Sequence, residues 1–248
     1  HYLKFKIIFM SGHSHFKTVK ATKDANDAKK GKVFSKLAGV IAIAAKEKGT
    51  DPATNANLKS AIEYAKRFNM PKENIERAIK KGSGESAGEN LQEVSFEGFG
   101  PFGIALIVEG ITDNKNRTLG EIKSILGRHE GKMAGEGAVK WMFEKRGVLE
   151  IDFKDKSKEE LELLAIESGA SDFKYDENII NIYTKPDDLE KVKKDFEEKG
   201  LQIESSGLEW IPKEEVMVGE NEKEKLEKLF EELDENDAIQ DIYSNLKE

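Results

Sequence analysis

Three consecutive segments in the first third of the chain have apolar residues at helical spacing. Residues 33–48 are apolar nearly all round in their middle, which predicts a buried helix. Residues 52–68 and 71–81 are amphipathic, and Gly82 follows the third segment at a position where glycine commonly ends helices. A helix without a polar face needs partners, so the pattern predicts an N-terminal three-helix bundle.

The spacing changes after the glycine-rich and serine-rich residues 82–88, which we interpret as a linker. Residues 93–99 alternate and residues 104–111 are rich in β-forming side chains, so the two runs predict a hairpin. Thr118 and Glu121 have the spacing of a capping box, which predicts a helix that reaches about His129. A strand is predicted at residues 139–144.

A second α/β unit is predicted to begin with a strand at residues 147–152. Ser157 and Glu160 form another predicted capping box, for a helix over residues 158–168. A strand, a helix and a strand follow at residues 178–184, 186–199 and 203–210. This order is typical of split-βαβ folds. An acidic helix at residues 213–237 and a closing strand at residues 238–246 complete the pattern.

The closing strand needs a sheet to join, and the first sheet is the nearest incomplete one. The fold class is therefore multi-domain α and α+β: a three-helix bundle followed by two small ferredoxin-like α+β domains, one inserted in the other. We treat the residues before Met10 as an upstream extension with no predicted structure. The predicted parts are 1–9 (extension), 10–82 (basic arm and bundle), 83–146 with 211–248 (middle domain) and 147–210 (inserted domain).

Charge is distributed very unevenly along the chain. Residues 1–82 contain 18 Lys and Arg against 7 Asp and Glu, whereas the whole chain of 248 residues has a net charge of -8. The protein is thus a basic head on an acidic body. A phosphate backbone favours local cation density, because each neutralised phosphate releases condensed counterions. The regional charge therefore indicates nucleic-acid binding despite the acidic total.

Composition excludes several other classes of function. The chain has no cysteine, which removes disulfides and thiolate chemistry and is easiest to reconcile with a reducing cytoplasm. No apolar run approaches the roughly 18 to 20 residues that cross a bilayer, so we expect no membrane partner. Neither a nucleotide-binding loop nor a hydrolase or metalloprotease motif occurs. We expect a non-enzymatic protein without cofactor, metal or small-molecule substrate.

The candidate nucleic-acid contacts begin in the basic arm at residues 10–36. Phe16, with His13 and His15, has the chemistry to stack on unpaired bases, although packing on the bundle is an equally good interpretation. Lys115 and Arg117 in the loop at residues 112–118 are expected to face outward as a second contact. The remaining candidates are basic residues of the arm and bundle: Lys17, Lys20, Lys23, Lys29, Lys30, Lys32, Lys36, Lys72, Arg77, Lys80 and Lys81.

Four stretches carry a resemblance to one family. GHSHF at residues 12–16, DAKKGK at 27–32, NMPKENIERAIKKG at 69–82 and TDNKNRT at 112–118 resemble the YebC family, which includes a mitochondrial translational activator. The resemblance implies a helical domain with two α+β domains, one of them ferredoxin-like and inserted in the other. One departure is the turn at residues 100–103, where Phe102 stands in place of a usual glycine.

Members of this family are widely labelled probable transcriptional regulators, and some are linked to translation on the ribosome, including passage through proline-rich stretches. The resemblance therefore implies a translation factor whose partner is the ribosome or structured RNA. The lysine-rich arm with its aromatic residue suits irregular RNA, and no base-reading recognition helix stands out. A transcriptional regulator that binds duplex DNA is the alternative. A protein-interaction scaffold is a third hypothesis, but it leaves the basic arm unexplained.

Overall fold

The computed structural model describes residues 27–84, 91–152, 157–176 and 178–247, together with the backbone of residues 5–6 and 20–21. For residues 27–29 and 176 it describes the backbone alone. Within these ranges no helix is long and apolar enough to cross a membrane. The elements in chain order are β1 (Phe5–Lys6), β2 (Lys20–Ala21), α1 (Asp27–Lys48), α2 (Ala56–Arg67), α3 (Lys72–Gly82), β3 (Gln92–Phe99), β4 (Ala105–Thr112), α4 (Lys115–Arg128), β5 (Lys132–Met133), β6 (Phe143–Asp152), α5 (Lys158–Ser168), β7 (Asp172–Asp176), β8 (Ile179–Thr184), α6 (Leu189–Glu198), β9 (Ile203–Pro212), α7 (Glu220–Asp234) and β10 (Ile239–Ser244).

Helices α1, α2 and α3 pack around one apolar cluster. Leu37 and Ile41 of α1, Leu58 of α2 and Ile75 of α3 are all buried in it. The prediction that the first helix begins at residue 33 was wrong, because α1 starts six residues earlier at Asp27. The Asp27–Lys32 segment is rich in good helix formers, and its single glycine lowers helix stability without ending the helix.

The first sheet is antiparallel, with the strand order β10-β4-β3-β5. One face of it packs against α4 and α7, and their shared cluster includes Leu106, Val108, Ile122 and Leu229. The chain leaves this sheet after β5, completes the second sheet, and returns with β10 alongside β4. The predicted hairpin and the prediction that the closing strand joins the first sheet are confirmed.

The second sheet is also antiparallel, with the order β7-β8-β6-β9 and the connection β-α-β-β-α-β. The predicted helix at residues 158–168 is confirmed, and both hydrogen bonds of the Ser157–Glu160 capping box are present. The strands predicted at 139–144 and 147–152 are wrong as separate units, because β6 runs unbroken from Phe143 to Asp152 and pairs with β9 throughout. The sequence-based domain boundaries at 146/147 and 210/211 therefore fall inside strands.

Two predicted helix starts were also wrong. Helix α4 begins after Asn114, whose side chain accepts a hydrogen bond from the Arg117 backbone N–H, so Thr118 is inside the helix and bonds to Thr112 instead. An Asx cap nearer the strand thus replaces the predicted capping box. Helix α7 starts at Glu220 rather than residue 213, because the preceding segment is extended and pairs with the C-terminal residues at Val216.

A polar junction joins the three parts of the molecule. The Trp210 indole N–H of β9 donates a 2.8 Å hydrogen bond to the Glu109 carboxylate of β4. Asp241 of β10 lies near that carboxylate and accepts a hydrogen bond from the Tyr243 hydroxyl, and the Lys36 charge of α1 acts on it. Burial, then the Glu109 charge, raise the pKa of Asp241 to about 7, because Lys36 and Tyr243 offset them only in part.

The contact between α1 and α3 depends on Gly82. A Cβ atom there would overlap the carbonyl oxygen of Ala42 and lie 2.8 Å from the Cβ atom of Ala45. We expect Gly82→Ala to lower the free energy of unfolding by about 1 to 3 kcal/mol, because α3 must move away from α1. Urea denaturation of the purified protein measures the loss.

The matched control is Gly31→Ala in α1, where an added Cβ meets no atom within 4 Å. This substitution should be neutral or stabilise by up to about 1 kcal/mol, because alanine is the better helix former. Equal effects of the two substitutions would contradict the close approach.

The raised pKa of Asp241 predicts a pH-dependent stability. Between pH 4 and pH 7 the unfolded chain has lost this proton while the folded protein keeps it, so wild-type stability should fall as pH rises through that window. We expect the wild-type loss in free energy of unfolding to reach roughly 2 to 4 kcal/mol near pH 8. The Asp241→Asn variant has no carboxyl group at this position and should not show the loss. Thermal melts from pH 4 to pH 8 test this. Substitution of the exposed Asp237 by Asn should leave the pH profile of the wild type unchanged. If the profiles of Asp241→Asn and the wild type were parallel, the raised pKa would not belong to Asp241.

Candidate nucleic-acid interface

Most of the predicted arm lies outside the described residues. This holds for His13, His15, Phe16, Lys17 and Lys23. The structure gives the backbone alone for Lys20, in β2, and for Lys29, in α1. Their predicted roles therefore stay predictions. Lys30, Lys32 and Lys36 belong to a helix and not to an extended arm, so their side chains point in directions fixed by helical spacing.

Two of the α1 lysines face the acidic helix α7. The Lys36 ammonium forms an ion pair and hydrogen bond with Asp234, and the exposed fractions of the two side chains are only 10% and 19%. Lys32 lies 3.5 Å from the Glu235 carboxylate at the end of the same helix. The expectation that Lys36 faces solvent was thus wrong, because tertiary packing buries its charge against α7. Lys30 remains exposed.

The Lys36–Asp234 contact is a compromise between burial and attraction. Burial raises the pKa of Asp234, and the Lys36 charge with its hydrogen bond lowers it by less, so the net shift is upward. A carboxylate and an ammonium removed from water lose hydration, which their attraction only partly restores. The pair therefore positions α1 on α7 rather than supplying a large net stability.

The outer face of α3 carries three cations of the helical part. Arg77, Lys80 and Lys81 stand at positions i, i+3 and i+4, so they share one side of the helix, opposite the buried Ile75 and Ala78. Arg77 and Lys80 are exposed, and Lys81 is half-buried. At the other end of the helix the Lys72 ammonium lies 3.5 Å from Glu76, an exposed pair of small energetic weight.

The start of α4 brings a second pair of cations to the same neighbourhood. Lys115 and Arg117 are exposed in its first turn, as expected from the sequence. Arg117 forms an ion pair with Asp113 and approaches Glu121, so its charge is shared with two carboxylates. Burial acts to raise the pKa of Asp113, but the Arg117 hydrogen bond and the charges of Arg117 and Lys81 outweigh it, so the pKa is below its usual value. The Lys81 charge thus reaches Asp113, so the end of α3 contributes to the electrostatics of the loop before α4.

We call this region the α3–α4 surface and define it as Arg77, Lys80, Lys81, Lys115 and Arg117. It unites two groups of residues that lie more than thirty positions apart in the sequence. The surface is cationic and mostly exposed, and its side chains are carried by two helices. Its chemistry suits phosphate groups, which bind arginine and lysine through charge-assisted hydrogen bonds.

Two family models match the chain. The TACO1/YebC protein N-terminal domain matches residues 14–85, and the TACO1/YebC second and third domain matches residues 91–246. The chain belongs to the TACO1/YebC family. The resemblance noted in the sequence is therefore confirmed.

Similar proteins cover nearly the whole length of this family member. A probable transcriptional regulatory protein of Thermoanaerobacter pseudethanolicus is 47% identical over 240 residues, covering 96% of this chain and 97% of the relative. A second, from Caldanaerobacter subterraneus, is 46% identical over 239 residues, covering 96% and 98%. The crystal structure of a conserved hypothetical protein from Aquifex aeolicus has a TM-score of 0.81 at 42% identity, covering 89% of this chain and 91% of that one.

Sequence reasoning did not find the carboxylates that face the α1 lysines. Asp234 is 198 positions from Lys36, and no local pattern relates the two residues. The sequence predicts an acidic helix in this part of the chain. In this TACO1/YebC protein the C-terminal end of that helix pairs with the basic head. Among the described residues no group of three or more His, Cys, Asp and Glu could hold a metal ion.

The different burial of Lys32 and Lys36 predicts unequal substitution effects. Lys36→Met leaves Asp234 buried without its ion pair and should lower the free energy of unfolding by roughly 1 to 3 kcal/mol. Lys32→Met removes an exposed pair and should change it by no more than about 0.5 kcal/mol. Urea denaturation of both variants makes the comparison within one helix. Equal losses would show that the Lys36 contact with α7 does not anchor α1.

Proposed function

We propose that this protein is a non-enzymatic, nucleic-acid-binding regulator of gene expression, and that it acts as a translation factor on the ribosome or on structured RNA. The observation that carries the proposal is the α3–α4 surface. Its five cations converge from two units of an otherwise acidic protein. Such a separation of charge attracts a polyanion to one side of the molecule and repels it from the rest.

The arrangement of the surface supports RNA as the partner. Lys80 and Lys81 lie in the last turn of a short helix, with Arg77 one turn before them. Arg117 is held by Asp113 rather than projecting alone. Cations on two helix ends match the irregular phosphate path of folded RNA, which proteins recognise largely by shape. The predicted arm, with Lys17, Lys20, Lys23, Lys29 and Lys30, would extend this contact, and Phe16 with His13 and His15 would meet unpaired bases. The resemblance to the YebC family adds the ribosome as the site of action.

A transcriptional regulator bound to duplex DNA is the second candidate. The observation that favours it is the name of the similar proteins, which are called probable transcriptional regulatory proteins. Duplex DNA would use the same cations, since phosphate contacts carry no sequence information of their own. The two candidates agree on regulation of gene expression and differ in the nucleic acid.

The architecture fits a binding protein made of separate parts. We infer that α1 to α3 form a three-helix bundle, and that the unit from β6 to β9 is a ferredoxin-like domain inserted in the middle domain. The strand order β7-β8-β6-β9 supports the second assignment, because a split βαβ fold has this connectivity. In this arrangement the bundle presents cations, and the middle domain supplies both α4 and the acidic helix that holds α1.

Charge reversal on the α3–α4 surface tests the proposal. Arg77→Glu combined with Lys80→Glu changes two exposed residues that do not contribute to the apolar cluster. We expect ribosome co-sedimentation through sucrose to be lost or weakened about tenfold or more, because several phosphate contacts are replaced by repulsion. Gel shifts on structured RNA and duplex DNA across a salt series, run beside it, compare the two nucleic acids.

The matched control is Lys191→Glu with Lys194→Glu, which makes the same charge change on the exposed face of α6. It should retain ribosome binding. Unchanged ribosome binding by the Arg77→Glu, Lys80→Glu variant would contradict the role of the α3–α4 surface. Tight, sequence-selective binding to duplex DNA without ribosome association would favour the transcriptional candidate.

A further inference from the structure

Trp141 is an exposed indole between two buried neighbours. Its side chain is 67% exposed, whereas Val139 is fully buried and Phe143 is 3% exposed. Val139 and Phe143 belong to the apolar cluster between the two sheets, with Ala105, Ile107 and Tyr243. The chain is therefore anchored on both sides of Trp141, and the largest side chain of the segment stands in water.

The loop that presents Trp141 is fixed by a buried carboxylate. Glu97 of β3 accepts hydrogen bonds from the backbone N–H groups of Gly137, Val139 and Lys140, at 2.7, 2.6 and 2.9 Å. Burial acts to raise the pKa of Glu97, but the three hydrogen bonds and the Lys140 charge together lower it by more. The net pKa is below its usual value, so the group is held as an anion. The loop backbone is thus preorganised by a charge-assisted network.

The indole itself is also held in place. Its Nε1–H donates a 2.9 Å hydrogen bond to the carbonyl oxygen of Ala138. The Trp141 carbonyl oxygen accepts a 2.7 Å bond from the Lys213 ammonium, and the Lys213 backbone N–H bonds to Met142 at 2.9 Å. With its one polar atom satisfied, the ring is left to make contacts through its face. A ligand that stacks there orders little further structure, so little conformational entropy opposes binding.

Two lysines adjoin Trp141, one through the chain and one through a hydrogen bond, and a third shares the Trp210 ring with the first. Lys140 precedes Trp141 in the chain, and Lys213 binds the Trp141 carbonyl oxygen. Lys140 and Lys145 each lie over the Trp210 ring, at 5.6 and 5.4 Å from its centroid. The ring positions both ammonium groups without neutralising them, because a cation–π contact leaves the charge intact.

The carboxylates nearby offset these cations only in part. Glu144 is bonded to Arg146 at 2.7 Å, and Glu97 is turned inward to the loop backbone. Glu136 and Glu214 are exposed in the flanking segments. An exposed aromatic ring remains, on a segment adjoined by the ammonium groups of Lys140 and Lys213. Such a surface binds bases by stacking and phosphates by charge, with little dependence on sequence.

We propose that Trp141, with Lys140, Lys145 and Lys213 in the surrounding segments, is a contact site for single-stranded RNA, with the indole stacked on an unpaired base. This deepens the proposed function and rests on it, because it adds a second contact to the same class of partner. Duplex nucleic acid is excluded as the ligand of the ring, because its bases are already stacked on each other. The ammonium groups favour a polyanion over a protein partner.

Intrinsic fluorescence tests the stacking directly, because the chain contains only two tryptophans. In Trp210→Phe, all tryptophan emission comes from Trp141. A 12-nucleotide single-stranded RNA of mixed sequence should quench that emission, and the same RNA annealed to its complement should not. Fluorescence anisotropy of the labelled RNA should show binding by Trp141→Ala weakened about tenfold, with Trp141→Phe intermediate, since a smaller ring stacks less well.

Phe102→Ala provides the control, because Phe102 is another exposed aromatic, on the turn between β3 and β4. It should bind the RNA as wild type does. Single-stranded RNA that binds without quenching Trp141, and equally well to Trp141→Ala, would overturn this inference while leaving the proposed function intact. Absence of any RNA binding would overturn it as well, and ribosome sedimentation would then decide the proposed function separately.

Discussion

Strand β4 is paired on both edges and buried on both faces, and the other parts of the molecule are positioned by it. Leu106 and Val108 face α4 and α7, whereas Ala105 and Ile107 face the cluster between the sheets. Its edges bind β3 and β10, so no backbone group of its central residues is left to solvent. Gly110 allows the chain entering β10 to approach closely, since a Cβ atom there would overlap the carbonyl oxygen of Ala238. A strand enclosed in this way fixes where the chain must return after the second sheet.

That return has an electrostatic consequence. It places the C-terminal end of α7 beside α1, so that Asp234 and Glu235 meet Lys36 and Lys32. Part of the basic head is therefore neutralised within the molecule, and the exposed positive charge shifts to the ends of α3 and α4. A nucleic-acid-binding surface predicted from the charge of residues 1–82 alone therefore assigns too many contacts to α1. The basic helix α1 and the acidic helix α7 thus contact each other in the fold through their opposite charges.

Polar side chains that bond to backbone N–H groups support both candidate contact regions, the α3–α4 surface and the Trp141 loop. Asn114 caps α4 and sets the direction in which Lys115 and Arg117 leave the backbone. Glu97 holds the loop that carries Trp141 through three backbone N–H groups. In each case a polar side chain accepts hydrogen bonds from the backbone of the segment that carries the exposed side chains. The position of those exposed side chains is thereby fixed. Recognition of phosphates and bases by charge and stacking depends on that fixed position, because each ordered side chain that must be immobilised on binding weakens the complex.

The sequence by itself determined the periodic elements, the separation of charge and the family. The helix at residues 158–168, the hairpin, and the return of the closing strand to the first sheet follow from local spacing and from the need of a strand for a partner. The exposed cations at Lys115 and Arg117 were also predictable, because they stand in a polar loop. Only the tertiary structure decided that Lys36 is buried, that the Lys81 charge reaches Asp113, and that Trp141 stands in solvent with Lys213 bonded to its carbonyl oxygen. Each of these depends on contacts between residues distant in the chain, and local hydrophobic spacing does not encode which face of one unit meets another.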